Sequence, residues 1–352
     1  MTYASGSIVY ASDYYNLVGY DPTTISNKLN AVWGTGSGKY GYGQAPIGFT
    51  TSLSGQLVPN LATGTTVSAT DWNTMISTIT KCAVLQGTTI PSMYSPVSGS
   101  VVTFDPLVVN NLQRIYSNVL NNASQGTSTT VTTSNATQWR NSILFTHTIT
   151  FATGDAARYF FNMGGQFAIT FSATTGPQSN IIFNQLATEC GTIVISAGSV
   201  ETITVAGTQY QGVTKVGGNG PAAVNPLYTG QRYNVQTFNN LAPTIGYYGM
   251  NTSYQEIFKQ SAGNVPGIPV ARYQYYEGSY ISVNVKTNGT QGLHGDNGNI
   301  ITIQTLWDQV PTGLQVNAGT STSVTTRPPF LPSGFTKAWV TDPVVNGTVI
   351  GI

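Results

Sequence analysis

Ionised side chains are nearly missing from this chain. Of its 352 residues, 13 are Lys or Arg and 12 are Asp or Glu, 7% together, against about 25% in an ordinary globular domain. The net charge of +1 is too small to track a phosphate backbone, so no nucleic-acid partner is expected. Two histidines and two cysteines supply a zinc site only if all of them converge, which is rejected here. One bridge between Cys82 and Cys190 is conceivable, but nothing in their spacing requires it, and two free buried thiols are expected. No apolar run reaches the roughly 20 residues of a membrane span. The start, Met1-Thr-Tyr-Ala-Ser-Gly6, has neither the basic region nor the apolar stretch of a secretory signal. Synthesis in a cytoplasm, with no membrane partner, is the expectation.

What is present instead is neutral polarity: Ser, Thr, Asn and Gln, with 39 Gly and 20 Tyr. Such groups hydrogen-bond without the desolvation cost of a buried charge. They suit a surface that packs against other chains, although little net charge leaves little repulsion between monomers. Two classes fit: a soluble secreted β-protein, or a subunit of a permanent assembly. The length allows two or three domains and a core that needs no disulfide.

Three segments in the first 125 residues have helical spacing. The first opens at Ser12-Asp13 and resumes after Asp21-Pro22 with Ile25, Leu29, Val32 and Trp33. The second opens at Thr70-Asp71 with Trp72, Met75, Ile76 and Ile79 on one stripe. The third opens at Asp105-Pro106 with Leu107, Val108, Leu112, Ile115 and Val119. Each is an amphipathic stripe behind a capping residue, and none buries its face alone. Ile8–Leu17 also resembles Thr66–Met75: a short extended piece, a hydroxyl, an acid with an aromatic, then an aliphatic anchor. Between the first two helices runs the glycine-rich Gly34–Gln44, and a Ser/Thr/Asn-rich stretch from Asn121 to Asn135 marks a boundary.

From about Ser142 the period changes to two. Residues 143–151, 167–171, 191–195, 201–205, 280–285 and 299–305 alternate β-branched or aromatic with polar residues and predict strands. Residues 155–161 and 181–190 predict inserted helices. The expected fold class is α+β: a helical attachment module over 1–125, a mainly antiparallel β-sandwich-like domain over 136–310, and an extended tail over 311–352.

Chemistry-bearing motifs are few. Gly36-Ser-Gly38-Lys-Tyr-Gly41 matches G-x-G-x-x-G, but a helix precedes it and no acid follows up to Leu61, unlike a dinucleotide-binding turn. Tyr40 stands where a P-loop needs Ser or Thr. His147 sits among strand threonines and reads as a sheet residue. His294-Gly-Asp296-Asn-Gly298 reads as a turn, since a calcium loop would need a closing Glu. Glycan hydrolysis would need two carboxylates close together. Asp155, Glu189, Glu201, Glu256, Glu277, Asp296 and Asp308 form no recognisable pair in sequence, and no enzymatic activity is expected. Tyr247, Tyr248, Tyr273, Tyr275, Tyr276 and Tyr280 cluster, and tyrosine serves sheet packing, oligomer interfaces and sugar faces alike. Trp33, Tyr40, Tyr42, Trp72, Tyr247, Tyr248, Tyr275 and Tyr276 are the interface candidates. Asp155 and Arg158, three apart on one helical turn, are a candidate structural pair that locks an edge of the β-domain.

Ile8–Leu17, Trp33-Gly-Thr-Gly-Ser-Gly38 with Gly41-Tyr-Gly-Gln44, Ala69-Thr-Asp-Trp-Asn73 and Phe151–Asn162 followed by Gly164-Gly165 together resemble virion structural proteins of tailed phages, including cyanophage-like ones. The resemblance spans about the first 90 residues and residues 140–310. It implies an assembly subunit of a tail, neck or fibre, located in the virion, with no cofactor and no catalytic residues. Its implied partners are other virion proteins and copies of itself, a trimer or hexamer, with a host-surface glycan as a further candidate. A capsid decoration protein and a receptor- or glycan-binding appendage are the alternatives.

Overall fold

The computed structural model describes residues 6, 8–18, 29–34, 41–44, 66–118, 120–174, 178–198, 202–218, 240–262, 278–291, 298–310, 315–333, 335 and 342–351. Its first part holds α1 (Ala11–Val18), α2 (Leu29–Trp33), α3 (Ala69–Gln86) and α4 (Pro106–Ser117). The two similar segments start helices by one device. The Tyr10 amide donates to the Asp13 carboxylate at 3.0 Å, and the Ser68 amide donates to the Asp71 carboxylate at 3.0 Å. The Ser68 hydroxyl also accepts from the Asp71 amide at 3.1 Å, which closes a capping box. The cap of α3 is thus Ser68 and not the expected Thr70. α4 starts as expected, with Asp105 accepting from Leu107 and Pro106 in the first turn. Asp21, Pro22 and Ile25 lie outside the described residues.

The stripes meet one another. Leu29, Val32, Trp33, Trp72, Met75, Ile79, Val108, Leu112 and Ile115 are all buried, and α3 packs against both α2 and α4. Beside them the two similar segments lie edge to edge: Tyr10 bridges Thr66 and Ile8 bridges Thr103. This makes a small three-stranded ribbon with Val9, Val67 and Val102 buried beneath it.

The rest alternates strands and two helices: β1 (Thr129–Ser134), β2 (Ser142–Thr150), α5 (Gly154–Asn162), β3 (Gln166–Ser172), α6 (Gln178–Cys190), β4 (Thr192–Ile195), β5 (Ile203–Val205), β6 (Thr208–Tyr210), β7 (Val213–Val216), β8 (Asn240–Leu241), a 3-10 turn (Tyr247–Gly249), β9 (Gln255–Ser261), β10 (Tyr280–Thr287), β11 (Ile300–Asp308), β12 (Ser321–Arg327) and β13 (Val344–Gly351). They form a five-stranded sheet, β1-β12-β3-β4-β7, and a six-stranded sheet, β13-β2-β11-β10-β9-β8, all antiparallel. Alternation decides the faces: Ile143, Phe145, His147 and Ile149 of β2 point inward, as do Ile301, Ile303, Thr305 and Trp307 of β11. Trp307 joins the layers. Its ring meets Phe171 of the facing sheet at 6.3 Å and Phe183 of α6 at 5.8 Å, and its indole N–H donates to Thr322 Oγ1 of β12 at 3.3 Å. The class is α+β with a sandwich-like sheet domain, and residues of the helical part and of the sandwich share one continuous buried core.

Two boundaries differ from the expectation. The stretch from 121 to 135 is not all linker, because β1 begins at Thr129. The segment after 311 is not a tail: β12 sits between β1 and β3, and β13 borders β2. The signal is weak because Val324 is the one aliphatic residue of β12, and its inward positions are Thr322 and Thr326, both buried.

His147 is a sheet residue as expected, but an inward one. It is fully buried, with Nε2 3.1 Å from Thr133 Oγ1 of β1. Burial pulls its pKa from 6.5 down to about 4. Below pH 6.5 the unfolded chain binds a proton that the folded chain refuses, so stability is full above that pH and declines toward pH 4. The expected loss between pH 7 and 5 is about 2 kcal/mol. Urea titrations across that range will show the wild-type midpoint falling and that of His147→Gln staying nearly level; equal pH slopes for the two proteins contradict the assignment.

Candidate functional site

Helix α5 is where the chemistry-bearing residues concentrate. Thr153 caps it by accepting from the Ala156 amide at 3.0 Å, which leaves Asp155 in the first turn and Arg158 one turn later. Arg158 is fully buried while the Asp155 carboxyl keeps a partly exposed edge. Arg158 Nε lies 3.3 Å from Asp155 Oδ1, its terminal nitrogen donates to the Tyr159 hydroxyl at 3.0 Å, and the guanidinium lies 4.6 Å from the centre of the Tyr159 ring. Burial pushes the Tyr159 phenol up to about 12 against the opposing pull of Arg158. The phenol therefore stays neutral and accepts from the arginine. Half-buried Tyr248 is raised by desolvation as well, and its hydroxyl donates to Asn162 Oδ1.

Asp155 and Arg158 do meet, within α5 itself, and the same helix has contacts beyond the β-domain. Asn162, at the end of α5, donates to the Gly41 carbonyl at 3.0 Å, so the helix reaches into the N-terminal part. Gly43 has φ +71°, and a Cβ there would overlap the Tyr159 ring; only glycine permits this approach. Tyr42, between those glycines, accepts from Gln86 Nε2 at 2.6 Å, and the same amide group donates to the Ile115 carbonyl at 2.7 Å. Phe335 closes the seam from the other end of the chain, with its ring 4.8 Å from Trp33 and 6.3 Å from Tyr42. On its other side α5 contributes Phe160 and Phe161 to a ring cluster with Phe151, Phe167 and Tyr247 at 4.5–5.6 Å between successive centroids.

Several interface candidates are thereby reassigned. Trp33, Tyr42, Trp72 and Tyr247 are buried within this chain, so they form its own core and not a surface for another subunit. The reason is that the amphipathic stripes satisfy one another. Tyr248 is half-buried in the Asn162 contact. Tyr40, Tyr275 and Tyr276 lie outside the described residues, as do Lys39, Tyr273, His294 and Asp296.

Among the described residues no three of His, Cys, Asp and Glu gather to hold a metal ion. The described acids of the β-domain each have a separate role. Asp155 holds Arg158, Glu256 accepts from Asn240, Asp308 accepts from Ser142, and buried Glu189 lies near Lys215. Cys82 and Cys190 are both buried and free, and burial raises both thiols; neither is disposed to react. No described helix is long and apolar enough to cross a membrane.

The surface feature that sequence reading missed is the outer face of the N-terminal ribbon. Tyr10, Val97 and Val101 expose 65, 72 and 63% of their surface, and Ile8, two residues before Tyr10 on the same face, is exposed with them. The Val9 amide donates to the Val102 carbonyl, which in antiparallel register sets Tyr10 beside Val101, while the turn from Val97 to Ser100 brings Val97 to the same end. A clue was available: Val97, Val101 and Val102 lie in an extended stretch after Pro96, with no helical stripe to absorb them. No protein-family model, no curated protein and no solved structure matches the chain.

Replacing Arg158 tests the seam. Arg158→Ala strips Asp155 and Tyr159 of a buried partner and is expected to cost about 3 kcal/mol, read as a lower urea midpoint with an unchanged slope. Arg158→Lys, which keeps the charge without the planar fork, is expected to fall between the two. An alanine variant as stable as the wild type removes this pair from the fold's supports.

Proposed function

We propose that this protein is a structural subunit of a tailed-phage virion, in its tail, neck or fibre base, seated on neighbouring virion proteins through the outer face of its N-terminal ribbon. The exposed group of Ile8, Tyr10, Val97 and Val101 supports this reading. An apolar patch rimmed by neutral polar residues marks a surface for another chain, and covering it costs little because few ionised groups must be desolvated. The resemblance of the Ile8–Leu17 and Ala69–Asn73 segments to phage virion proteins supplies the kind of assembly, and both segments lie in this ribbon or start the helices behind it.

The test is incorporation. Phage particles carrying the wild-type chain are expected to hold from a few to roughly some tens of copies, in keeping with a symmetric tail or neck ring. Tyr10→Lys combined with Val101→Lys changes only exposed positions and is expected to leave the thermal midpoint within a few degrees while lowering incorporation by about tenfold or more. Hundreds of copies per particle would move the protein to the capsid surface. Mature particles that lack the chain, or that take up the double variant as readily as the wild type, overturn the proposal.

A further inference from the structure

The four outer strands of the sandwich are not equivalent. β8 is two residues long. β7 is four residues long and carries Lys215, whose ammonium donates to the Gly217 carbonyl at 3.1 Å. Short strands and lysines are the usual means of blunting a sheet edge. The opposite flank has neither. There β1 and β13 run side by side, close enough that a Cβ on Gly347 would overlap Thr133 Oγ1. β1 reads Thr-Thr-Val-Thr-Thr-Ser and β13 reads Val-Val-Asn-Gly-Thr-Val-Ile-Gly, with no charge and no proline in either.

β13 is the longer of the two and the more exposed. It pairs with β2 in unbroken register from Val344 opposite Thr150 to Gly351 opposite Ile143. Among the described residues no strand pairs its other side. Val344 and Ile350 expose 62 and 61% of their surface, and a Cβ on Gly351 would meet nothing within 4 Å. Such a strand presents a free row of backbone donors and acceptors, a template for one more strand.

Its sequence specifies which strand. Residues directly opposed in an antiparallel pair share a face of the sheet. A two-fold axis through Gly347 sets Asn346 opposite Thr348 of a second copy, Val345 opposite Val349, and Val344 opposite Ile350. Amide meets hydroxyl, the two half-buried valines on the inner face meet each other, and the two exposed aliphatic residues cover each other. An isologous interface demands this kind of self-complementarity. Glycine at the axis has its own reason, since a side chain there would strike Thr133 and the His147 ring.

We propose that β13 is a self-association strand: two copies of this chain pair antiparallel about Gly347 and join their six-stranded sheets into one. The proposal does not rest on the virion reading. A two-fold contact of this kind builds a dimer or the dihedral form of a hexamer, and it does not by itself build a trimer.

The full-length protein in solution provides the test, by sedimentation equilibrium and by disulfide trapping. Wild type is expected to associate in even numbers. Val344→Lys with Ile350→Lys opposes ammonium groups across the axis and is expected to weaken association by at least about tenfold. Val344→Glu with Ile350→Lys opposes acid to base in the same register and is expected to restore it. Asn346→Cys with Thr348→Cys is expected to cross-link chains in pairs on mild oxidation, with Cys82 and Cys190 buried and out of reach. A monomeric wild type, association indifferent to both charge variants, or no cross-linked pair overturns the proposal. Particles lacking the chain would sink the virion reading and leave this one standing.

Discussion

Helix α5 is the element on which the two parts of this molecule depend, and it carries a buried cation, Arg158. A guanidinium removed from water is tolerated only when its charge and its donors are matched, and here Asp155 and the Tyr159 hydroxyl do part of the matching from the same helix. Those partners sit on α5 itself, so this matching braces the helix, and its contacts on either side hold it in place. Phe160 and Phe161 then turn toward Phe151 and Phe167, while Asn162 and Tyr159 turn toward Gly41 and Gly43. One side of α5 thus fastens the sandwich and the other side fastens the N-terminal helices.

Much of the fold was legible because its period was. Trp72, Met75, Ile76 and Ile79 could be read as one helical stripe, and Ile143 to Phe151 as one strand, since apolar residues recur there at 3.6 and 2. The acid after each of the two similar openings identified both helix starts, although Ser68 and not Thr70 supplies the cap. Among the strands that escaped is β12, most of whose inward side chains are hydroxyls. Thr322 is fully buried in β12, where the Trp307 indole of the facing sheet gives its oxygen a partner; alternation of Ser and Thr carries no hydrophobic signal for that. The interface candidates failed for the opposite reason. Trp33, Tyr42, Trp72 and Tyr247 were correctly seen as residues that must be covered, but composition does not say by which chain, and their own chain covers them.

Neutral polarity has a different consequence on each surface. Inside the sandwich it lets Thr305, Thr320 and Thr322 occupy core positions without a counter-charge. On the outer face of the five-stranded sheet it pairs Thr130 with Thr325 and Thr132 with Ser323 by hydroxyl contacts at 2.8 Å. Along the flank of β1 and β13 it removes the repulsion that keeps sheet edges apart. A surface of this kind is sorted by shape and hydrogen-bond register more than by long-range attraction, so its encounters are steered weakly and selected at contact.

The placing of β12 also governs how the molecule is made. A strand from residues 321–327 lies between β1 and β3, two strands that precede it by well over a hundred residues. Until the ribosome has delivered it, β1 has no sheet to join and one margin of β3 stays open. Closure of the sandwich is therefore dominated by distant pairings, which are slow to find. In the interval the unpaired margins of β1 and β3 are open to pairing with other chains, the usual hazard of a strand edge left uncovered during folding.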